Sequence, residues 1–243
     1  MTEPSPAAPP TKAQRRTALI VGIFFIVTFL SAIGALILYG PVLDETDYIV
    51  GAGADDRVRL GALFEVILVI ANIGTAVVLY PILKRQHEGM AMGYVASRVV
   101  ESTVIAVGLI SLLSVVTLRQ DAAGAEDASL VLAGQSLVAI HDWTFLIGPG
   151  FCVGVGNGLL LGYLMYRSGL VPRRMAMLGL IGDPLIVASS TAILFGAYEQ
   201  TDGWAFFASI PEIAWEASLG IYAAWKGFRS SSPLAPQEAM ATG

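Results

Sequence analysis

HDWTFLIGPGFCVGVGNGLLLGY, residues 141–163, decides how the rest of the chain is read. It opens on the adjacent polar pair His141 and Asp142 and is broken by Gly148-Pro149-Gly150. It then places a glycine at every fourth position: Gly150, Gly154, Gly158 and Gly162. In water this would be a poor helix, since each glycine costs about 1 kcal/mol relative to alanine. In a bilayer the same spacing makes a flat groove against which another helix packs closely. The stretch is therefore expected to be the central helix of a membrane bundle, with a polar pair at one end and a packing seam along its length. That seam suits a neighbouring helix of the same chain or a second copy.

Composition agrees. Of the 243 residues, 55% are apolar and 14% charged, against about 25% charged in a soluble domain. Outside the glycine stretch, five further apolar runs are long enough to cross a bilayer, which takes about 20 residues. The six expected spans are Ala18–Tyr39, Leu60–Leu83, Met92–Thr117, Ser136–Tyr166, Met175–Tyr198 and Trp204–Trp225. The first is too long for the core of a secretory signal. The fold expected is all-α, a polytopic bundle of six transmembrane helices over residues 18–228. Disordered cytoplasmic tails are expected at 1–17 and 229–243, the first being rich in Pro, Ala and Ser.

Orientation follows from the basic residues. One set of connections holds Lys12, Arg15, Arg16, Lys84, Arg85, Arg167, Arg173, Arg174, Lys226 and Arg229. The other holds Arg57, Arg59 and Arg119 among many acids, including Asp44, Glu45, Asp47, Asp55, Asp56, Asp121, Glu126, Asp127, Glu199 and Asp202. Both termini are expected in the cytoplasm of a cell whose plasma membrane the chain crosses. Tyr39, Tyr48, Tyr80, Tyr166, Tyr198, Trp204 and Trp225 fall near span ends, where amphipathic rings favour the headgroup zone.

The chemistry-bearing residues are those a lipid-dissolved helix should not contain. Glu65 and Asn72 lie in the second span, Arg98 and Glu101 in the third, His141 and Asp142 in the fourth, Asp183 in the fifth, and Glu212 and Glu216 in the sixth. A charge at mid-bilayer costs about 2.5–3.5 kcal/mol on insertion scales, so these groups are expected to turn inward as a shared polar core. Arg98 and Glu101, three apart, share a helix face and pair. Glu212 and Glu216, four apart, share another. Counting depth from the outer end of each span gives two layers: Glu65, His141, Asp142 and Glu212 outside, and Arg98, Glu101, Asp183 and Glu216 from the middle inward. Asp183-Pro184 and Pro211-Glu212 put carboxyls beside helix breaks, a common way to build an ion or substrate site. Asn157, between Gly156 and Gly158, reads as interhelical hydrogen-bonding glue.

Other chemistries find little support. With only His87 and His141, and no HExxH or cysteine-pair pattern, no metal site is expected. No phosphate loop, dinucleotide fingerprint or nucleophile elbow occurs, so no cofactor and no nucleic-acid partner is expected. The single Cys152 reads as a small packing residue. Three functions stay open. The first is a small transporter or channel-like protein handling protons or cations. The second is a structural or accessory membrane protein whose buried charges fix packing. The third is an intramembrane lipid-modifying enzyme using His141 and Asp142, and an enzyme is the less favoured class.

Residues 79–103, LYPILKRQHEGMAMGYVASRVVEST, add a resemblance. Leu79-Tyr80-Pro81 leaves the second span, Lys84-Arg85 makes a short basic turn, Arg98-Val99-Val100-Glu101 sits in the third span, and His141 comes early in the fourth. In these features, over roughly 18–228, the chain resembles an uncharacterised bacterial membrane family, domain-of-unknown-function family 4386. The resemblance implies an integral membrane protein of about six spans and brings no reaction with it.

Overall fold

In the computed structural model the residues described are 11–51, 53–122, 128–230, 232 and 234. Among them there is no β-strand, and six helices follow one another: α1 (Lys12–Asp44), α2 (Asp55–Leu83), α3 (Glu88–Asp121), α4 (Ala128–Ser168), α5 (Arg173–Leu194) and α6 (Gly203–Trp225). The first five are long and apolar enough to cross a membrane. The sixth, at 23 residues, spans about 35 Å at 1.5 Å per residue and carries Glu212 and Glu216.

Each helix packs on the next in chain order, and α6 returns to α1, so the six close a ring. The return contact depends on glycine: a side chain on Gly22 of α1 would run into the backbone of Gly220 and Ala224 of α6. The stretch expected as the central helix is instead one wall of this ring, flanked by α3 and α5. The glycine ladder serves the second of these contacts. Gly150 lies against Ser190, Gly154 against Val187, Gly158 against Asp183 and Gly162 against Leu180, an antiparallel seam running the length of α5. The seam is thus filled from within the chain.

Apolar residues lie on both sides of the bundle wall: Leu79, Leu83, Leu161, Leu164 and Leu219 pack inside. Leu30, Ile37, Ile70, Val77, Ile110 and Ile221 face outward, whereas Glu65, Asn72, Arg98, Glu101, Asn157, Asp183 and Glu212 face inward. An apolar outer face, with the charged groups confined to an otherwise apolar interior, suits a protein whose solvent is acyl chain.

The helix ends differ from expectation in ways that matter below. α1 begins at Lys12, six residues earlier than Ala18, because Thr11 and Gln14 form a capping box that satisfies its first N–H groups. At the other end the chain past α6 is held: Arg229 N–H donates to the Leu170 carbonyl and Ser232 Oγ donates to the Ser168 carbonyl, both at bonding distance (2.9 and 2.7 Å). The remainder of both expected tails, and Glu126 and Asp127, lie outside the described residues. α5 ends at Leu194 rather than Tyr198. At the acidic end of the bundle Asp55 gathers Arg119 Nη1 (2.8 Å), Gln120 Nε2 (2.9 Å) and the Tyr48 hydroxyl (3.0 Å), tying the α1–α2 connection to α3.

Candidate functional site

The interior polar residues fall into three groups, each built by several helices. The largest centres on Arg98, 1% exposed. Its Nη1 donates to Glu101 Oε2 at 2.8 Å, the expected i, i+3 pair, and its Nη2 donates to Glu216 Oε1 at 3.2 Å across the ring. Asn72 Nδ2 of α2 donates to the second Glu101 oxygen at 2.8 Å, and Asn157 Nδ2 of α4 donates to Glu216. Aromatic rings complete the enclosure. Phe25 and Tyr94 lie 5.8 and 5.9 Å from the guanidinium carbon, within cation–π range. Tyr94 also bonds Thr75, and Trp215 Nε1 donates to the Asn157 carbonyl at 3.2 Å. Five of the six helices meet on this one cation.

The second group is Asp183 of α5 and Glu212 of α6. Both are buried, and their carboxyls face each other. The Asp183 carboxyl fills the space left by the missing side chain of Gly158 and approaches the peptide N–H groups of Gly158 and Leu159. Yet none of the four carboxyl oxygens of the pair accepts a hydrogen bond of ordinary geometry. Prolines flank the site at Pro184 and Pro211, and Gly182 lets α5 press onto the backbone of Pro211 and Glu212. On the α4 side the backbone is π-helical over Leu146–Cys152 and Gly154–Gly162. Such turns are rare and concentrate at functional sites.

The third group lies nearer the acidic end. Tyr39 of α1 donates its hydroxyl to Glu65 Oε2 of α2 at 2.8 Å. His141 of α4 presents its ring edge-on to Tyr39, centroids 5.7 Å apart, and stacks on Phe145. Glu65, Tyr39 and His141 line one cavity of about 110 Å³.

Most of these residues lie inward, and some group differently from the expected two layers. Glu212 was assigned to the outer layer with Glu65; it sits with Asp183. The cause is the early end of α5 at Leu194, which raises Asp183 to the depth of Glu212 on the antiparallel neighbour. Asp142 is no core residue: its side chain is 57% exposed and lies 3.6 Å from His141 Nδ1. Tyr39, read as a headgroup-zone ring, is a buried donor to Glu65. Tyr94 and Trp215, absent from the expected site residues, belong to the Arg98 group. Their signal was spacing: Tyr94 precedes Arg98 by one helical turn, and Trp215 adjoins Glu216.

Fold and interior define a class, the multi-pass helical membrane protein with a charged interior. Within it, residues 20–227 match the family described as domain of unknown function DUF4386, and the chain belongs to that family. No curated protein and no solved structure matches the chain.

Proposed function

We propose that this chain is a six-crossing plasma-membrane protein with both termini in the cytoplasm, and that it moves protons or small cations through its interior by way of Asp183 and Glu212. The observation that carries the reading is the unpartnered pair itself. Two buried carboxyls in contact, with no basic side chain bonded to either, relieve their mutual repulsion by taking up a proton or a small cation. Groups held against their solvation preference persist where function needs them. Glu216 lies one helical turn below Glu212 and keeps about a fifth of its side chain exposed. Arg98 beyond it supplies the counter-charge.

The test is flux. Protein reconstituted in proteoliposomes should acidify the lumen under an imposed proton or cation gradient, and Asp183→Asn and Glu212→Gln should each abolish the signal while eluting as the native protein does. Wild-type vesicles silent under every imposed gradient, or a double variant that still conducts, would end the proposal. Orientation is checked separately on a Cys152→Ser background: Lys84→Cys should label only from the cytoplasmic side and Gln200→Cys only from outside.

A structural role is the second reading, and the Arg98 group favours it. Both its carboxylates are engaged and its partners come from four other helices, an arrangement suited to fixing helix register.

A further inference from the structure

His141 stands between a carboxyl at the surface and a carboxyl in the interior. On the surface side is the exposed Asp142, whose Oδ1 lies 3.6 Å from His141 Nδ1. The α5–α6 loop sets the height of this step, since Gln200 Nε2 donates to the Asp142 carbonyl at 3.0 Å. On the inner side, facing the imidazole, is the buried Glu65, which takes the Tyr39 hydroxyl on Oε2 at 2.8 Å. The ring itself is buried, edge-on to Tyr39 of α1 and against Gly108 of α3.

A cavity lies on each side of this step. The outer one, about 130 Å³, opens among Glu45, Thr46, Gln135 and Asp142, all exposed at the acidic end. The inner one, about 110 Å³, is lined by Glu65, Tyr39, His141 and Thr144 among apolar walls. A water needs about 10–15 Å³ and two to four polar partners, so both admit water. Asp142 borders the outer cavity and His141 the inner, which makes the two adjacent residues the link between them. No described Lys or Arg lines either cavity, and α3 contributes only Ile105 and Val115, neither of which titrates. A histidine kept for packing alone has its buried nitrogens satisfied, as buried polar atoms generally are. His141 Nδ1 is enclosed and makes no hydrogen bond. A small rotation of the exposed Asp142 carboxyl brings it from 3.6 Å into bonding range.

We propose that Asp142, His141 and Glu65 form a proton port, through which Glu65 exchanges protons with water at the acidic end of the bundle. Imidazole suits the middle position because it accepts a proton at one nitrogen and releases one from the other. Inward, the Asp142 carboxylate takes a proton from water in the outer cavity. Its O–H breaks as an N–H forms at His141 Nδ1. The N–H at Nε2 then breaks as an O–H forms at Glu65 Oε1, directly or through one water of the inner cavity. The ring ends neutral, Asp142 is a carboxylate again, and the Tyr39 hydroxyl stays on Oε2. Release reverses each step. The port is separate from Asp183 and Glu212 and stands whether or not they carry ions.

The probe is the proton itself. The full chain in nanodiscs is followed by the infrared absorbance of protonated carboxyls after a rapid drop in pH, and the component missing in Glu65→Gln is that of Glu65. His141→Phe should slow its rise at least tenfold, well inside the ~100-fold that a positioned proton carrier contributes, and leave the final amplitude unchanged. Asp142→Asn alters an exposed side chain and threatens the fold least; it should slow the rise as well. The chain has only two histidines, so in His87→Gln labelled with 15N-histidine the one remaining ring is His141. Its protonation form should change in nuclear magnetic resonance spectra as Glu65 loads. Equal rates in wild type and both slow variants would overturn the proposal. So would a His141 ring fixed in one form while Glu65 loads, or a Glu65 component that never rises. Silent proteoliposomes with an intact, His141-dependent Glu65 signal would sink the transport proposal and leave the port standing.

Discussion

Arg98→Met gives the sharpest test of the interior's energetics. The guanidinium is almost wholly buried between Glu101, itself 4% exposed, and Glu216. Methionine keeps the unbranched stem of the side chain as far as the Nε position, so the change removes the charge, the donors and the planar head that lies beside Phe25 and Tyr94. It leaves two carboxylates inside the ring with only Asn72 and Asn157 as donors. Stranding a buried charge in this way costs about 3–5 kcal/mol. For a chain of this size each kcal/mol moves the melting point by ~2–4 °C, so thermal unfolding in detergent should fall by roughly 6–20 °C. The triple change Arg98→Met, Glu101→Gln, Glu216→Gln removes the stranded charges together. It should recover most of that loss, because replacing a whole ion group by neutral side chains is often close to neutral. A single variant as stable as wild type, or a triple variant as damaged as the single, would refute the view that Arg98 is held by its two carboxylates.

The α4–α5 seam and the outer connection yield further expectations. Gly158→Ala forces a methyl into the Asp183 carboxyl and should cost ~1–3 kcal/mol as overpacking. Gly162→Ala, whose new carbon meets nothing closer than 3.5 Å, should be neutral, and equal melting points for the two would undo the seam. In the α1–α2 connection, burial first, and then the Asp55 carboxyl that accepts its hydrogen bond, push the Tyr48 phenol up to about 12, with Arg119 acting the other way. The folded state thus favours the protonated phenol. The stability this lends is complete below about pH 10, the ordinary tyrosine value, and is lost as pH rises from there through about 12. Phenolate absorbance of wild type minus Tyr48→Phe should report that late titration, and Asp55→Asn should bring it back toward the ordinary value.

How much of this was written in the sequence depends on whether a feature is local. Arg98 and Glu101 pair because three residues along a helix bring two side chains together, and no tertiary information is needed. The four-residue glycine ladder announced a packing seam for the same reason, and α5 fills it. What required the third dimension was anything set by helix ends. Counting to Tyr198 instead of Leu194 misplaced Asp183 by about one turn and hid its contact with Glu212. Tyr39 looked like a ring at a membrane surface because only a long helix, running on to Asp44, carries it inside. The π-turns of α4 had no sequence signature beyond glycines already explained by packing. The ring could not be seen at all, because an apolar span reads the same in a wall as at a centre.

The three polar groups differ in one physical respect that separates scaffold from machinery, namely whether their atoms have partners. In the Arg98 group both carboxylates and both terminal guanidinium nitrogens are bonded, only Arg98 Nε and Asn157 Oδ1 lacking partners, so breaking it should destabilise. Asp183 and Glu212 meet each other and, for Asp183, the peptide N–H groups of Gly158 and Leu159, with no hydrogen bond of ordinary geometry and no basic side chain bonded to either, so the folded state bears them as a cost. Asp183→Asn keeps the shape of the side chain and supplies an amide N–H to the facing Glu212 carboxyl. If the pair is retained for function, this variant should melt at or above wild type, by the ~1 kcal/mol that one new buried hydrogen bond is worth, while losing any flux. That combination, gained stability with lost activity, is the expected signature of a site kept strained for use. A drop in melting point comparable to that of Arg98→Met would mean instead that the pair holds the ring together, and the structural role would then extend to the whole interior.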